Sequence, residues 1–186
     1  MDLKKAQALA EGFCFCLAPF CQRIEIAGSI RRRKPDVGDI EVVCIPNRVM
    51  KEDLFGNGET ERDPRFAKQL SKYKILKGSP TEGKFIQIEL SGITVDIFTA
   101  VPDNWGLIFA IRTGSADFSH HFLASGWVMA GYHSSDGFLC KPQGLGKKTI
   151  PVREEKDLFE LIKLPWVPPE NRFYIRRREW TLNMMK

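Results

Sequence analysis

The stretch that most constrains this 186-residue chain is residues 28–41, GSIRRRKPDVGDIE. It opens with a Gly-Ser pair directly after a short apolar run containing Ile24 and Ile26. It then passes through a basic turn (Arg31, Arg32, Arg33, Lys34) and closes on Gly38, Asp39, Ile40 and Glu41. Residues two apart in a strand share a face, so Asp39 and Glu41 set two carboxylates side by side. Such a pair repels itself and is ordinarily kept where a cation sits between its members. The plainer reading is a solvated edge strand, but Ile40, Val42, Val43 and Ile45 read as a buried one. The Gly-Ser pair supplies the other half of a candidate site. Glycine lets the backbone approach a ligand, and the Ser29 hydroxyl and the N–H groups after it can donate to phosphate oxygens. Arg31, Arg32 and Arg33 add cations near the same place. Metal ligands beside a phosphate cradle suit a nucleoside triphosphate held through bridging metal ions.

With 43% hydrophobic residues, the chain can bury one good core and a smaller appendage. No run of eighteen apolar residues appears, so no membrane span is expected. The N-terminus has a basic start and an apolar part, but Glu11 interrupts the run, and an amphipathic helix is the better reading than a signal peptide. Cysteines 14, 16, 21, 44 and 140 are odd in number and lie mostly in apolar settings. Cys14 and Cys16 lack zinc spacing, so reduced thiols in an intracellular protein are expected, cytoplasmic or nucleoid-associated. The formal charge of +5 permits nucleic-acid binding without arguing for it.

Along the chain, a helix is expected over residues 3–18, strands over 22–28 and 37–46, and an exposed, mobile loop over the Gly- and charge-rich 47–65. A helix should carry Phe66, Leu70 and Tyr73. The alternation Phe85, Ile86, Gln87, Ile88, Glu89, Leu90, then Ser91-Gly92, then residues 93–99 is a hairpin signal. Asp96 lies in that last strand among Ile93, Val95, Ile97 and Phe98. Taken alone, an acid on the polar face of a half-buried strand would be as good a reading. Beside Asp39 and Glu41, it reads as a third carboxylate, placed to cap a metal and help deprotonate a hydroxyl. After Pro102 the pattern turns helical, with Phe118, Phe122, Leu123 and Trp127 on one face and Gly131 as a stop. His120 and His121 are read as surface or substrate-adjacent residues. Residues 141–148 read as a loop, and 154–164 as a short amphipathic helix. The cations Arg176, Arg177 and Arg178, beside Trp180, read equally as a solvated helix end or a phosphate contact.

The combination G-S-x-R-R followed by G-D-x-[DE] resembles the nucleotidyltransferase core of family X DNA polymerases. Thr113, Gly114 and Ser115 followed by Phe118 resemble that family's T-G-S-x-x-F segment, which lies against the nucleotide sugar and base. Pro151-Val152, residues 155–159 and residues 169–172 resemble the end of its thumb. The resemblance implies an α+β fold: a palm over residues 1–103, with a mixed sheet and helices mainly on one face, and a small α/β thumb over 104–186. It implies that Asp39, Glu41 and Asp96 hold two Mg²⁺ ions, with Mn²⁺ as a substitute. Gly28, Ser29, Arg32 and Gly38 match triphosphate-binding positions, and Thr113, Gly114, Ser115 and Ser119 join them as nucleotide contacts. Lys147, Lys148 and the 176–178 arginines are expected on DNA.

The sequence departs from the family at several positions. Glu41 stands where Asp is usual, and Ile111 and Arg112 replace bulky aromatic positions. Ser119 replaces an asparagine, Leu123 an arginine and Thr94 an arginine. The likeness begins at the palm, without the helix-hairpin-helix modules that grip primer and template, so weak, distributive DNA binding is expected. The implied activity is a metal-dependent DNA polymerase. It would add deoxynucleotides from dNTPs to a primer 3′-hydroxyl on primer-template or gapped DNA in short, repair-like patches. A monomer is expected, with room for a helper DNA-binding protein. The alternatives are a template-independent nucleotidyltransferase acting on an RNA end, a protein or a small molecule, and a non-catalytic DNA-binding relic.

Overall fold

The fold is taken from a computed structural model, which describes residues 1–52 and 58–173. In chain order the elements are α1 (Leu3–Leu17), β1 (Cys21–Ile26), α2 (Gly28–Arg31), β2 (Ile40–Pro46), β3 (Arg48–Glu52), β4 (Gly58–Arg62) and α3 (Pro64–Leu70). There follow β5 (Lys74–Lys77), β6 (Phe85–Leu90), β7 (Ile93–Thr99) and α4 (Trp105–Thr113). A π-helical segment (Phe118–Ala124) runs into α5 (Ser125–Met129), and β8 (His133–Ser135), β9 (Phe138–Gln143), β10 (Gly146–Ile150) and α6 (Glu155–Leu161) complete the series. The fold is α+β. It divides into two compact units, one of Met1–Ile26 with Pro35–Val101, the other of Ala27–Lys34 with the chain from Pro102 onward. The expected palm ran unbroken from residue 1 to 103, whereas Ala27–Lys34 packs with the later unit.

The first unit is built on a five-stranded sheet of order β1-β2-β7-β6-β5, in which β2 and β7 are parallel and the other pairs antiparallel. Register explains its two faces. Ile40 pairs with Val95 and Val42 with Ile97, while Ile97 also faces Ile86 and Val95 faces Ile88. All six are buried, and period-2 alternation puts them on one side. On the other side, Val43 and Phe98 pair, and Phe98 meets Phe85 with ring centroids 5.2 Å apart. α1 packs on β1 and β2, burying Ala6, Ala10, Phe13 and Leu17. It starts where the Asp2 carboxylate accepts the Lys5 N–H at 3.2 Å, an N-cap, and gives way to a 3₁₀ turn (Ala18–Phe20) that contains Pro19.

Residues 47–65 were expected to be a mobile loop. Arg48–Glu52 and Gly58–Arg62 form instead an antiparallel ribbon, β3–β4, with Arg48 opposite Arg62 and Met50 opposite Thr60, while residues 53–57 of the expected loop lie outside the described residues. Arg62 anchors it, donating to the Pro80 and Gly83 carbonyls at 2.8 and 3.1 Å. A short edge strand, β5, was also not foreseen. Its Lys74, Ile75, Leu76 and Lys77 are all exposed, so no alternation marks it.

The second unit gathers a core of Leu107, Ala110, Phe118, Phe122, Leu123, Trp127, Leu139, Leu158, Phe159 and neighbours. α4 packs on α6, and α2 on α4. The expected first strand, 22–28, stops at Ile26. Gly28 takes φ +61°, a conformation that favours glycine, and opens a single helical turn. Residues 141–148 are the ends of β9 and β10 joined by a two-residue turn, not a loop. Among the described residues, no helix is long and apolar enough to cross a membrane.

Candidate active site

In the first unit, sheet register sets two of the acids opposite each other. Glu41 on β2 lies directly opposite Asp96 on β7, and Asp96 lies opposite Gln87 on β6. Glu41, Asp96 and Gln87 therefore form one row across three adjacent strands, on the face away from Ile40 and Val42. The Gln87 amide donates to Asp96 Oδ1 at 2.7 Å. Asp39 stands one residue before β2 begins, two positions upstream of Glu41. All three acids are half-buried. Gly38 is exposed, in the same unit, with open space around the position a side chain would take.

Carboxylates are the hard oxygen donors that Mg²⁺ or Mn²⁺ takes, and two of them opposed across neighbouring strands make a place for positive charge. The residues fit such an ion in donor chemistry and backbone placement. In their present side-chain positions, no three His, Cys, Asp or Glu groups among the described residues converge as a ligand set.

The second unit carries the remaining expected nucleotide contacts, and one line of cations does two jobs. Arg32 Nη1 donates to the carbonyls of Thr113 and Gly114 at 2.6 and 3.0 Å. It therefore holds the T-G-S turn that follows α4. Arg31 was expected as a free cation beside a phosphate. Instead its guanidinium meets Glu155 through two hydrogen bonds of 2.8 and 2.6 Å, donates to the buried Thr113 hydroxyl at 2.6 Å, and lies 3.9 Å from the Phe109 ring centre. A bidentate carboxylate pair is the strongest use of an arginine fork, which takes Arg31 out of the cradle and into the frame. Glu155 also pairs with Arg172, whose side chain is fully buried. Burial pushes the Arg172 guanidinium below its ordinary value, and Glu155 pulls it back up.

Neither Glu155 nor Arg172 stood out as a functional residue in the sequence, since nothing in their spacing shows that they meet. α6 presents Glu155 at its first residue. Asp157 accepts the N–H groups of Arg153 and Glu154 at 2.9 and 2.8 Å, fixing that helix start.

Ser115 accepts the Phe118 N–H on its hydroxyl at 3.1 Å and gives its own N–H to the Arg172 carbonyl at 2.9 Å. Ser119 donates to the Ile111 carbonyl at 2.7 Å, an internal bond that commits its hydroxyl to the turn. The Ser29 Oγ is different. It is buried and has no hydrogen-bond partner among the described residues. An orphaned buried hydroxyl costs about 1–3 kcal/mol, and a phosphate oxygen would remove that cost. His120 and His121 are exposed, with ring centroids 4.8 Å apart edge to face. Lys147 donates to Ser135 at 2.6 Å and lies 3.7 Å from the Asp136 carboxylate, while Lys148 is exposed on β10. Arg176, Arg177 and Arg178 lie outside the described residues.

The helix-rich second unit, with its T-G-S turn clamped by arginines, has the make-up of a thumb-like module. Residues 109–173, all within that unit, match the family model for the DNA polymerase beta thumb. The match supports the resemblance to family X polymerases, through the thumb alone. No curated protein matches the chain.

Proposed function

We propose that the chain is a divalent-metal-dependent nucleotidyltransferase of the family X type, which extends the 3′-hydroxyl of a DNA primer with deoxynucleotides. The observation that carries this reading is the acidic row: Glu41 opposite Asp96, with Asp39 two residues before Glu41. The thumb match on residues 109–173 supports it from an independent part of the chain.

Asp39, Glu41 and Asp96 would hold the ions, which supply Lewis-acid polarisation of the phosphate and lower the pKa of the attacking hydroxyl. Asp96, oriented by Gln87, accepts the proton of the primer 3′-hydroxyl. The O3′ forms a bond to the α-phosphorus, the bond from that phosphorus to the bridging oxygen breaks, and pyrophosphate leaves. Ser29 Oγ donates to a non-bridging phosphate oxygen. Arg32 keeps Thr113 and Gly114 in the conformation that receives the nucleotide.

The test is primer extension by the full chain on gapped, nicked, recessed and single-stranded DNA, with each dNTP and with Mg²⁺ or Mn²⁺. Wild type should release pyrophosphate and lengthen the primer only with metal. Asp39→Asn and Asp96→Asn should each lower the rate on the order of a hundredfold or more, as loss of a strong electrostatic stabiliser does, with unchanged circular dichroism. Extension by either variant at near the wild-type rate would overturn the reading.

A further inference from the structure

The β9–β10 ribbon carries a feature that nucleotide transfer does not use. Its base is anchored: Leu139 is buried in the core of the second unit, and its register partner Ile150 packs against that core. Beyond this point every residue from 141 to 149 is exposed. Gln143 pairs with Gly146, so Gly144 and Leu145 alone make the turn. Gly144 has φ +56° and Leu145 does not have a positive φ, the combination of a type II′ hairpin turn with glycine first. Leu145 thus stands at the apex of a tight, well-defined turn with its whole side chain exposed, at 112% relative to a reference residue.

The cations are arranged around that apex. Lys141 and Lys148 are direct cross-strand partners, which places their side-chain origins about 5 Å apart on one face. Like charges so opposed are destabilising by themselves, and neither has an acidic partner among the described residues. Lys147, on the opposite face, is held by Ser135 and Asp136. An apolar tip flanked by paired ammonium groups complements a polyanion whose backbone is charged and whose base steps are apolar. A two-stranded ribbon is also of a size that duplex grooves admit.

We propose that this ribbon enters a groove of double-helical DNA, with Leu145 inserted between adjacent base pairs and Lys141 and Lys148 on the flanking phosphates. The proposal rests on the reading that the chain works on DNA, and it names the element that grips and bends the duplex. Partial unstacking at the inserted step would open the helix by a kink, which makes gaps and nicks, already discontinuous, the easiest places to enter.

The experiment uses the full chain and a gapped duplex with 2-aminopurine at successive positions, whose emission rises when the base unstacks. Wild type should raise the emission at one or two neighbouring positions. Leu145→Ser should lose most of that rise while binding within about threefold of wild type. Lys141→Ala with Lys148→Ala should weaken binding at least tenfold at moderate salt and lower the salt slope by about two, roughly one for each phosphate contact. All three residues are exposed, and tryptophan emission confirms that the core around Trp105 and Trp127 is intact. Emission that ignores Leu145, or a salt slope unchanged in the double lysine variant, overturns the proposal. So does tighter binding to phosphatidylserine vesicles than to duplex. Primer extension is measured in parallel. If extension fails while the emission follows Leu145, the enzyme reading falls and the ribbon stands; if extension succeeds while emission ignores Leu145, the ribbon falls alone.

Discussion

The Arg31–Glu155–Arg172 network makes the sharpest quantitative demand on the structure. Arg172 is fully buried and Glu155 is 5% exposed, while Arg31 keeps 22% of its side-chain surface. Removing the shared carboxylate leaves the buried Arg172 guanidinium, and the partly exposed Arg31 guanidinium, without their common counter-charge. Breaking a buried pair from one side costs roughly 3–5 kcal/mol, because the stranded charge keeps its desolvation penalty and loses its partner. Glu155→Ala should therefore lose that much. At a urea slope of about 2 kcal/mol/M, the midpoint falls by roughly 2 M. The assay is favoured by the sequence: Trp105, Trp127, Trp166 and Trp180 all lie after Pro102, and the first unit has no tryptophan. Tryptophan emission against urea consequently reports the second unit. Glu155→Leu combined with Arg172→Met should lose less than Glu155→Leu alone, since no fully buried charge remains. The coupling should exceed about 1 kcal/mol. A Glu155→Ala loss under about 0.5 kcal/mol, the range of an ordinary surface change, would refute the reasoning. Additive single losses would do the same.

Two further outcomes follow from particular atoms. Ser29→Ala removes a buried hydroxyl without a partner, so stability should hold or rise slightly, while triphosphate affinity should fall about tenfold with the lost charge-assisted bond. Titration calorimetry with a non-hydrolysable dNTP checks it, and unchanged affinity would remove Ser29 from the cradle. The Cys14 thiol is pushed up to about 12, first by burial and then by the Glu25 and Cys21 charges. The folded state then keeps its proton where the unfolded chain loses it, near its ordinary value of 9.0. Its stabilisation is thus complete below about pH 9 and declines as pH rises from there toward 12. Cys14→Ala should flatten that alkaline decline in urea melts followed by circular dichroism, leaving the part due to Cys44, also raised. An equally steep decline in the variant would contradict this.

What was legible in the sequence was what local pattern controls. α1, the β6–β7 hairpin and the helical face of Phe118, Phe122, Leu123 and Trp127 follow from periodicities that burial enforces, and each is present. The last of these runs partly as a π-helix, a lengthening of the hydrogen-bond span from four residues to five that a spacing of four and five residues cannot reveal. Short strands were legible around Tyr132-His133 and Phe138-Leu139, but the β3–β4 ribbon and the outer part of β9–β10, residues 141–148, were hidden for a physical reason. With both faces near solvent, their side chains need not alternate, and only backbone pairing defines them. Arg31 shows the deeper limit. It sits beside Arg32 in a run of like residues, and nothing local tells which guanidinium turns to Glu155, more than a hundred positions on, and which to the Thr113 carbonyl.

The acidic row, finally, is a product of the core rather than of the acids. Two carboxylates carried opposite each other on neighbouring strands repel, so their own interaction would drive them apart. They are held opposite one another because β2 and β7 are parallel and in a fixed register. That register is set on the other face, where Ile40 meets Val95 and Val42 meets Ile97, all buried. A slip of one residue would send Asp96 into that apolar layer and Val95 or Ile97 out of it, at the cost of burying a carboxylate among hydrocarbon. Parallel pairing in turn requires a long crossover, and residues 47–92, with the β3–β4 ribbon, α3, β5 and β6, provide it. The hydrophobic alternation of two short strands, together with the length of chain between them, thus decides where the charges stand. Changing Glu41 or Asp96 should alter chemistry while leaving the register in place.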